Sequence, residues 1–247
     1  MSVQYQVARP VVDLLRRPDG PRDRQLLWGE AVTLLQDHEG WAQVQAVKDG
    51  YQGYLPSTSL ALLQPRSHWV SAAATHVYTQ GDFKSPDLHS LSFGSRVQVL
   101  DGGGRFARTP DGFIPAAHLT PLDQHLSDPV TVAELFLGTP YLWGGNSRCG
   151  IDCSGLVQAA LLASGHPCPG DSSPQKVKLG TALPANTPPQ RGDLLFWEGH
   201  VALVKDPETL IHANAHHMAV ALESLHPAIR RIEDQGDGPV TAHKRLM

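Results

Sequence analysis

Cys153 follows a glycine-flanked stretch, Tyr141-Leu142-Trp143-Gly144-Gly145 and then Gly150-Ile151-Asp152-Cys153-Ser154-Gly155-Leu156. Two histidines come later, at positions 200 and 212. A thiol and two imidazoles are the groups that nucleophilic acyl transfer uses: the sulfur attacks, and a ring nitrogen carries the proton. The elements around them decide whether they can meet. Residues 153–164 carry Leu156, Val157, Ala160 and Leu161 at amphipathic helical spacing. Asp152 suits the N-cap and Gly165 the C-terminal stop, so Cys153 falls in the first turn. The unpaired N–H groups and the positive end of the helix dipole there favour a thiolate and suit a developing oxyanion. A buried cysteine is more often an inert small hydrophobe. The helix start, the glycines and the later histidines favour the reactive reading.

His200 opens HVALV (200–204) and His212 lies in TLIHANA (209–215), with the turn-rich Lys205-Asp206-Pro207-Glu208 between them. Both runs read as strands. An antiparallel hairpin centred on Pro207 sets His212 opposite Ala202 and places His200 diagonally from it. Both imidazoles then point to one face of the sheet, and a one-residue slip would split them.

The segment from about 125 to 247 resembles the NlpC/P60 cysteine peptidases, papain-like hydrolases of bacterial cell-wall peptides. The residues that carry the likeness are GTPYLWGGNSRCGIDCSGLVQ, Gln175, the run Arg191-Gly192-Asp193-Leu194-Leu195-Phe196, HVALV and LIHA, in matching order and spacing. The resemblance implies that Cys153 is the nucleophile, His200 the general base and His212 the polar residue that orients it. It implies that Tyr141, Asp152 and Ser154 line the substrate site, and that Asp171 and Ser172 contact substrate. Many relatives carry Pro-Arg before that last segment, whereas this chain has Pro169-Gly170, so an arginine-dependent contact is not carried over.

The N-terminal half holds a weak internal repeat. LLWGEAVTLL (26–35) is similar to LSFGSRVQVL (91–100), Gly29 matching Gly94, and YLPSTSL (54–60) is similar to FIPAAHL (113–119). Each unit is a series of short strands with glycine-rich turns, the pattern of a small β-barrel, and it resembles bacterial SH3 domains. The fold class expected is two small SH3-like β-barrels followed by an α+β papain-like domain. The boundaries fall at 1–64, 65–122 and 123–247, marked by Pro65-Arg66 and the stretch Pro121 to Pro129.

Over its full length the chain resembles recycling enzymes that cleave the γ-D-glutamyl–diamino acid bond of short murein peptides. In them the first barrel closes one end of the cleft and holds the free amine of an N-terminal L-Ala. By that resemblance Glu30 and Tyr51 are the candidates for the ammonium, an acid and an aromatic being suited to it. The expected partner is a murein-derived peptide, L-Ala-γ-D-Glu followed by Dap or Lys. Two other readings use the same residues: an amidase or acyltransferase acting on a different substrate, and a wall hydrolase tethered through its SH3 units.

Composition narrows the field. The chain has 247 residues, a hydrophobic fraction of 41 % and a formal net charge of −4. That supports packed cores and gives no reason to expect a nucleic-acid or membrane partner. The opening MSVQYQVARPVVDLL lacks the basic, apolar and small-residue regions of a secretory leader. The 3 cysteines do not make a disulfide framework. The expected location is therefore the cytoplasm, where a thiol stays reduced. Cys149 and Cys153 lack a second closely spaced pair, so no metal site is expected and no cofactor is required.

Overall fold

The computed structural model describes residues 4–184 and 186–246. The first three residues of the opening stretch, position 185 and the last residue of the 123–247 range lie outside the described residues. The chain divides into two compact units. One runs up to His125 and takes in Asn146–Arg148; the other holds Leu126–Gly145 and the chain from Cys149 onward. The break falls three residues beyond the sequence boundary at 122, and the two expected barrels cluster as one unit.

In the first unit a seven-stranded antiparallel sheet runs Arg22–Leu27, Val11–Leu15, Gln52–Pro56, Trp41–Ala46, Ala31–His38, Gln4–Val7, Leu60–Leu62. It closes over Val7, Leu14, Leu26, Val32, Val44 and Leu55. Alternation along the strands explains this core, as Val44 and Ala46 point in while Gln43 and Gln45 point outward. The second half of the unit pairs Asp87–Ser92, Ala74–Tyr78, Gly112–Pro115 and Phe106–Thr109 in one sheet. Arg96–Val97, His68–Val70 and Leu119–Pro121 form another. Val70, Val77, Leu91, Val97 and Ile114 form its core.

The internal repeat is written into backbone hydrogen bonds. Gly29 N–H donates to Val7 O at 2.9 Å, and Gly94 N–H donates to Val70 O at 2.9 Å. Ala8 N–H reaches Ser59 O, and Ser71 N–H reaches His118 O. Both glycines have positive φ, 74° and 87°, a region that glycine occupies without penalty. In each half a strand runs into one turn of 3₁₀ helix, Ser57–Ser59 or Ala116–His118, and then a short strand.

The second unit carries, among the described residues, a six-stranded sheet in the order Thr181–Ala182, Ala242–Arg245, Leu194–Phe196, Val201–Asp206, Thr209–Asn214, Ala219–Ser224. Leu203 faces Ile211 and Val204 faces Leu210, with a bulge before Asp206. Both pairs keep the register expected from the Pro207 turn. Ala202, Val204 and Leu210 pack with Leu225, Ala228 and Ile232 of the helix Leu225–Ile232. The helix Cys153–Ala163 is buried along most of its length. Asp193 locks the sheet: its buried carboxylate accepts from Gln190 N–H, from His243 Nε2 at 2.7 Å, and from Arg245 Nε and Nη2 at 2.7 Å each. No described helix is long and apolar enough to cross a membrane.

Candidate active site

The nucleophile is set by a loop and a cap. Pro140 and Tyr141 bridge to Ala219 and Ile151. The chain then turns through Gly144, with φ of 70°. A Cβ at Gly145 would lie 2.5 Å from Gly150 O, so only glycine fits this close approach. Asp152 ties the loop to the helix. Its Oδ1 accepts from Gly155 N–H at 2.6 Å and from the Ser154 hydroxyl at 3.1 Å, and its Oδ2 accepts from Gly144 N–H at 2.9 Å. Asp152 is thus the N-cap that the sequence indicates, and the helix ends at Ala163 ahead of Gly165, whose φ is 81°. A cap of this kind is worth about 1 kcal/mol. The side chains of Asp152 and Ser154 are buried. Their hydrogen bonds hold the Cys153 turn in place, and both residues flank the nucleophile.

Cys153 is 7 % exposed, and its Sγ donates to Gly199 O at 3.9 Å. Burial pushes its thiol up to about 12, and the Asp152 charge adds to this; the N–H groups of Val201, Ser154 and Cys153 itself act the other way and are outweighed. This desolvation opposes the thiolate that the helix-start N–H groups favour.

His200 is presented by a tight turn. Trp197 N–H donates to His200 O at 3.0 Å, and Gly199 between them has φ of 71°. The Trp197 ring leans on the imidazole at 5.6 Å. His200 Nε2 lies 2.9 Å from His212 Nδ1, and His212 Nε2 lies 3.0 Å from Glu223 Oε2. Arg231 closes the chain with Nε on Glu223 Oε1 at 2.8 Å and Nη2 on Oε2 at 2.7 Å. Burial lowers His200 to about 3, with His212 and Arg231 adding to that and Glu223 opposing it. Burial likewise lowers His212, against the pull of Glu223. Burial alone would raise the Glu223 carboxyl, but His212 and Arg231 hold it far below the usual carboxylate range. Both imidazoles are neutral and Glu223 is ionised at neutral pH.

The sequence reading stopped at His212 and missed Glu223 and Arg231. A signal for Glu223 was present. His212 pairs with Ala221 in the next hairpin, so Glu223 sits diagonally on the same face. That register depends on the turn at 215–218, where Met218 has φ of 50°, and nothing in the residue types announces that turn.

A cleft of about 310 Å³ is lined in part by Tyr141, Trp143, Gly199, His200, Asn214 and Arg231. Burial, with the charges of Cys153, Asp152 and Asp237, raises the Tyr141 phenol, so it remains a hydroxyl donor. Asp171 and Ser172 begin the short helix Ser172–Lys178. Its buried Gln175 donates through Nε2 to Ser154 O and Pro169 O, 2.9 Å each, tying that helix to the nucleophile turn.

Glu30 and Tyr51 lie in the first unit, and the structure gives each a partner there. Lys48 Nζ is 2.6 Å from Glu30 Oε1, and Leu27 N–H reaches Oε2 at 3.3 Å. Tyr51 packs against the barrel core, with the Arg24 guanidinium 5.5 Å over its ring. The Glu30 carboxylate is therefore already neutralised by an ammonium. Among the described residues no group of three or more His, Cys, Asp or Glu is placed to hold a metal ion.

Residues 14–60 match the model of the bacterial dipeptidyl-peptidase SH3 domain, and residues 138–231 match that of the NlpC/P60 family. The chain is 29 % identical over 219 residues to a gamma-D-glutamyl-L-lysine dipeptidyl-peptidase of Bacillus subtilis, covering 76 % of this chain and 71 % of the relative. It is 26 % identical over 238 residues to dipeptidyl-peptidase 6 of Lysinibacillus sphaericus, covering 84 % and 86 %. A crystal structure of an NlpC/P60 family protein from Bacillus cereus shares the fold, with a TM-score of 0.82 at 20 % identity over 98 % of this chain and 99 % of that one. With a helix-start cysteine and a histidine pair in the matched segment, the chain carries an NlpC/P60 peptidase domain preceded by a bacterial SH3 domain.

Proposed function

We propose that this peptidase cleaves the γ-D-glutamyl–L-diamino acid bond of short murein peptides bearing a free N-terminal L-Ala, as a step in cell-wall peptide recycling in the cytoplasm. Cys153 is the nucleophile, His200 the base and His212 its orienting partner. The observation that carries the assignment of roles is the 2.9 Å bond between His200 Nε2 and His212 Nδ1. It occupies one nitrogen of His200 and leaves Nδ1 for the proton of the attacking thiol. The name of the Bacillus subtilis relative supports the bond and favours lysine after D-Glu. The need for a reduced thiol supports the cytoplasm.

The chemistry is a two-step acyl transfer. The Cys153 proton passes to His200 Nδ1 as Sγ bonds to the γ-carbonyl carbon. N–H groups at the helix start, with the Tyr141 hydroxyl, receive the oxyanion. The tetrahedral adduct collapses with cleavage of the C–N bond, and the imidazolium gives its proton to the leaving amine of the diamino acid. A thioester remains. His200 then takes a proton from water, the hydroxide adds to the thioester, and the D-Glu γ-carboxylate leaves as the thiol re-forms.

Asp171 and Ser172 contact substrate in this proposal. The second half of the first unit is a second SH3-like barrel, on the strength of the hydrogen bonds that repeat between the halves. Glu30 and Tyr51 read the peptide's ammonium, which takes over the position Lys48 holds on Glu30; one ammonium then replaces another and the buried carboxylate stays paired.

The test is mass spectrometry of L-Ala-γ-D-Glu-L-Lys and its Dap analogue incubated with wild type and Cys153→Ala. Release of L-Ala-D-Glu by the wild type alone supports the proposal. Cleavage by the alanine variant overturns the nucleophile, and an uncut tripeptide overturns the substrate. Release of fragments from intact wall would favour the tethered wall hydrolase instead.

A further inference from the structure

We propose that Glu223, clamped by Arg231, is the positioning residue that sets the tautomer of both histidines and thereby makes His200 Nδ1 the nitrogen able to accept a proton. The inference rests on the reading of Cys153 and His200 as nucleophile and base.

The argument follows hydrogens along the chain of contacts. An ionised carboxylate only accepts hydrogen bonds. Arg231 holds Glu223 ionised and in one orientation through its two contacts, 2.8 Å and 2.7 Å. His217 Nδ1 lies farther off, 3.9 Å from Glu223 Oε2. His212 Nε2, 3.0 Å away, must therefore carry hydrogen. His212 is buried, at 1 % exposure, and neutral. It then has one ring hydrogen, already placed, and its Nδ1 is a lone pair. The 2.9 Å contact to His200 Nε2 needs a hydrogen, and only His200 can supply it. His200 is also neutral, so its Nδ1 is bare. Without Glu223 the reverse order is equally allowed, with His212 Nδ1–H donating and His200 Nδ1 protonated. That order blocks the base. The sheet supplies the geometry: Ala219–Ser224 pairs with Thr209–Asn214 and sets Glu223 diagonal to His212.

The experiment uses the full chain labelled with ¹⁵N-histidine. Two-dimensional NMR at neutral pH reports which ring nitrogen of each histidine is protonated, and needs no substrate. The expected result is Nε2–H for both His200 and His212 in the wild type. In Glu223→Ala the acceptor for His212 Nε2–H is gone, so the reversed pair of tautomers becomes populated. On the tripeptide kcat then falls by up to about 10⁴-fold, with KM within about twofold, because the effect acts on proton transfer and leaves binding intact. His200 protonated at Nδ1 in the wild type overturns the proposal, and that readout holds even where the variant does not fold. A fall in kcat with unchanged tautomers overturns it too, since that is a packing effect. An uncut tripeptide sinks the functional reading alone, and the tautomers still decide this one.

Discussion

His200 Nε2 and His212 Nδ1 lie 2.9 Å apart, while Gly199, next to His200, carries the carbonyl that Cys153 Sγ touches. The imidazole is thus held through Nε2, and Nδ1 is the nitrogen that this contact leaves. This asymmetry gives the two histidines different work.

The first prediction separates them. His200→Ala removes the group that carries the proton and should lower kcat about 10²–10⁴-fold. His212→Gln keeps an acceptor for His200 Nε2–H and should cost less. Steady-state kinetics on the tripeptide check this. A dead His212 variant beside an active His200 variant would exchange the roles.

A second prediction concerns the resting sulfur. Burial raises the Cys153 thiol to about 12 and lowers His200 to about 3. At neutral pH both groups are then uncharged, and no thiolate–imidazolium pair stands ready. Cys149 is exposed, whereas Cys153 is buried. In the substrate-free protein iodoacetamide should therefore modify Cys149 first. Cys153 alkylation, followed in a Cys149→Ser background, should climb with pH to the alkaline end of the range. A plateau in its rate between about pH 5 and 8 would instead reveal a preformed ion pair.

Much of this site was legible in the residues. The N-cap at Asp152, the stop at Gly165 and the Pro207 register follow from local rules about caps, glycine and period-two strands, and the structure bears out each of them. The repeat of Gly29 in Gly94 was legible because a positive φ selects one residue type. What stayed hidden depends on tertiary placement. Glu223 reads as an ordinary strand glutamate until a second turn sets it diagonal to His212. The thiol state of Cys153 depends on how deeply its first turn is buried. Lys48 on Glu30 depends on two strands whose register no motif announces.

A third prediction tests the clasp on the sheet. Burial alone would raise the Asp193 carboxyl; Arg245, the Gln190 N–H and His243 outweigh it and hold it below the usual range. A carboxyl depressed in the folded state stabilises above its unfolded value, near pH 4, and that contribution disappears as pH falls through the folded value. Asp193→Asn should cost about 3 kcal/mol at pH 7, because Arg245 and His243 lose their buried partner. Thermal melts of wild type and variant should therefore converge as pH falls below about 4. A constant gap in Tm down to pH 2.5 would show that the ionised carboxylate is not what joins Ala242–Arg245 to Leu194–Phe196.

The last prediction concerns the ammonium. Glu30 and Lys48 form a pair with side-chain exposures of 9 % and 12 %. A peptide ammonium that binds Glu30 must take over that contact, since a buried carboxylate left unpaired is costly. An N-acetylated peptide has no charge to offer and leaves Lys48 where it is. The wild type should then favour free L-Ala-γ-D-Glu-L-Lys over its N-acetyl form in kcat/KM. A charge-assisted contact is worth about 1.5–3 kcal/mol, and because the peptide's replaces the one Lys48 gives up, the preference is the difference between the two and stays below the tenfold to hundredfold that one such contact would give. Glu30→Ala should remove most of that preference by slowing the free-amine peptide while leaving the blocked one little changed. Lys48→Met supplies the converse. It leaves Glu30 unpaired and destabilises the free protein, and the free-amine peptide should restore more Tm to this variant than to the wild type. Equal kcat/KM on the free and blocked peptides in the wild type would mean that Glu30 belongs to Lys48 alone, and would return the barrel to a spacer or wall-binding role.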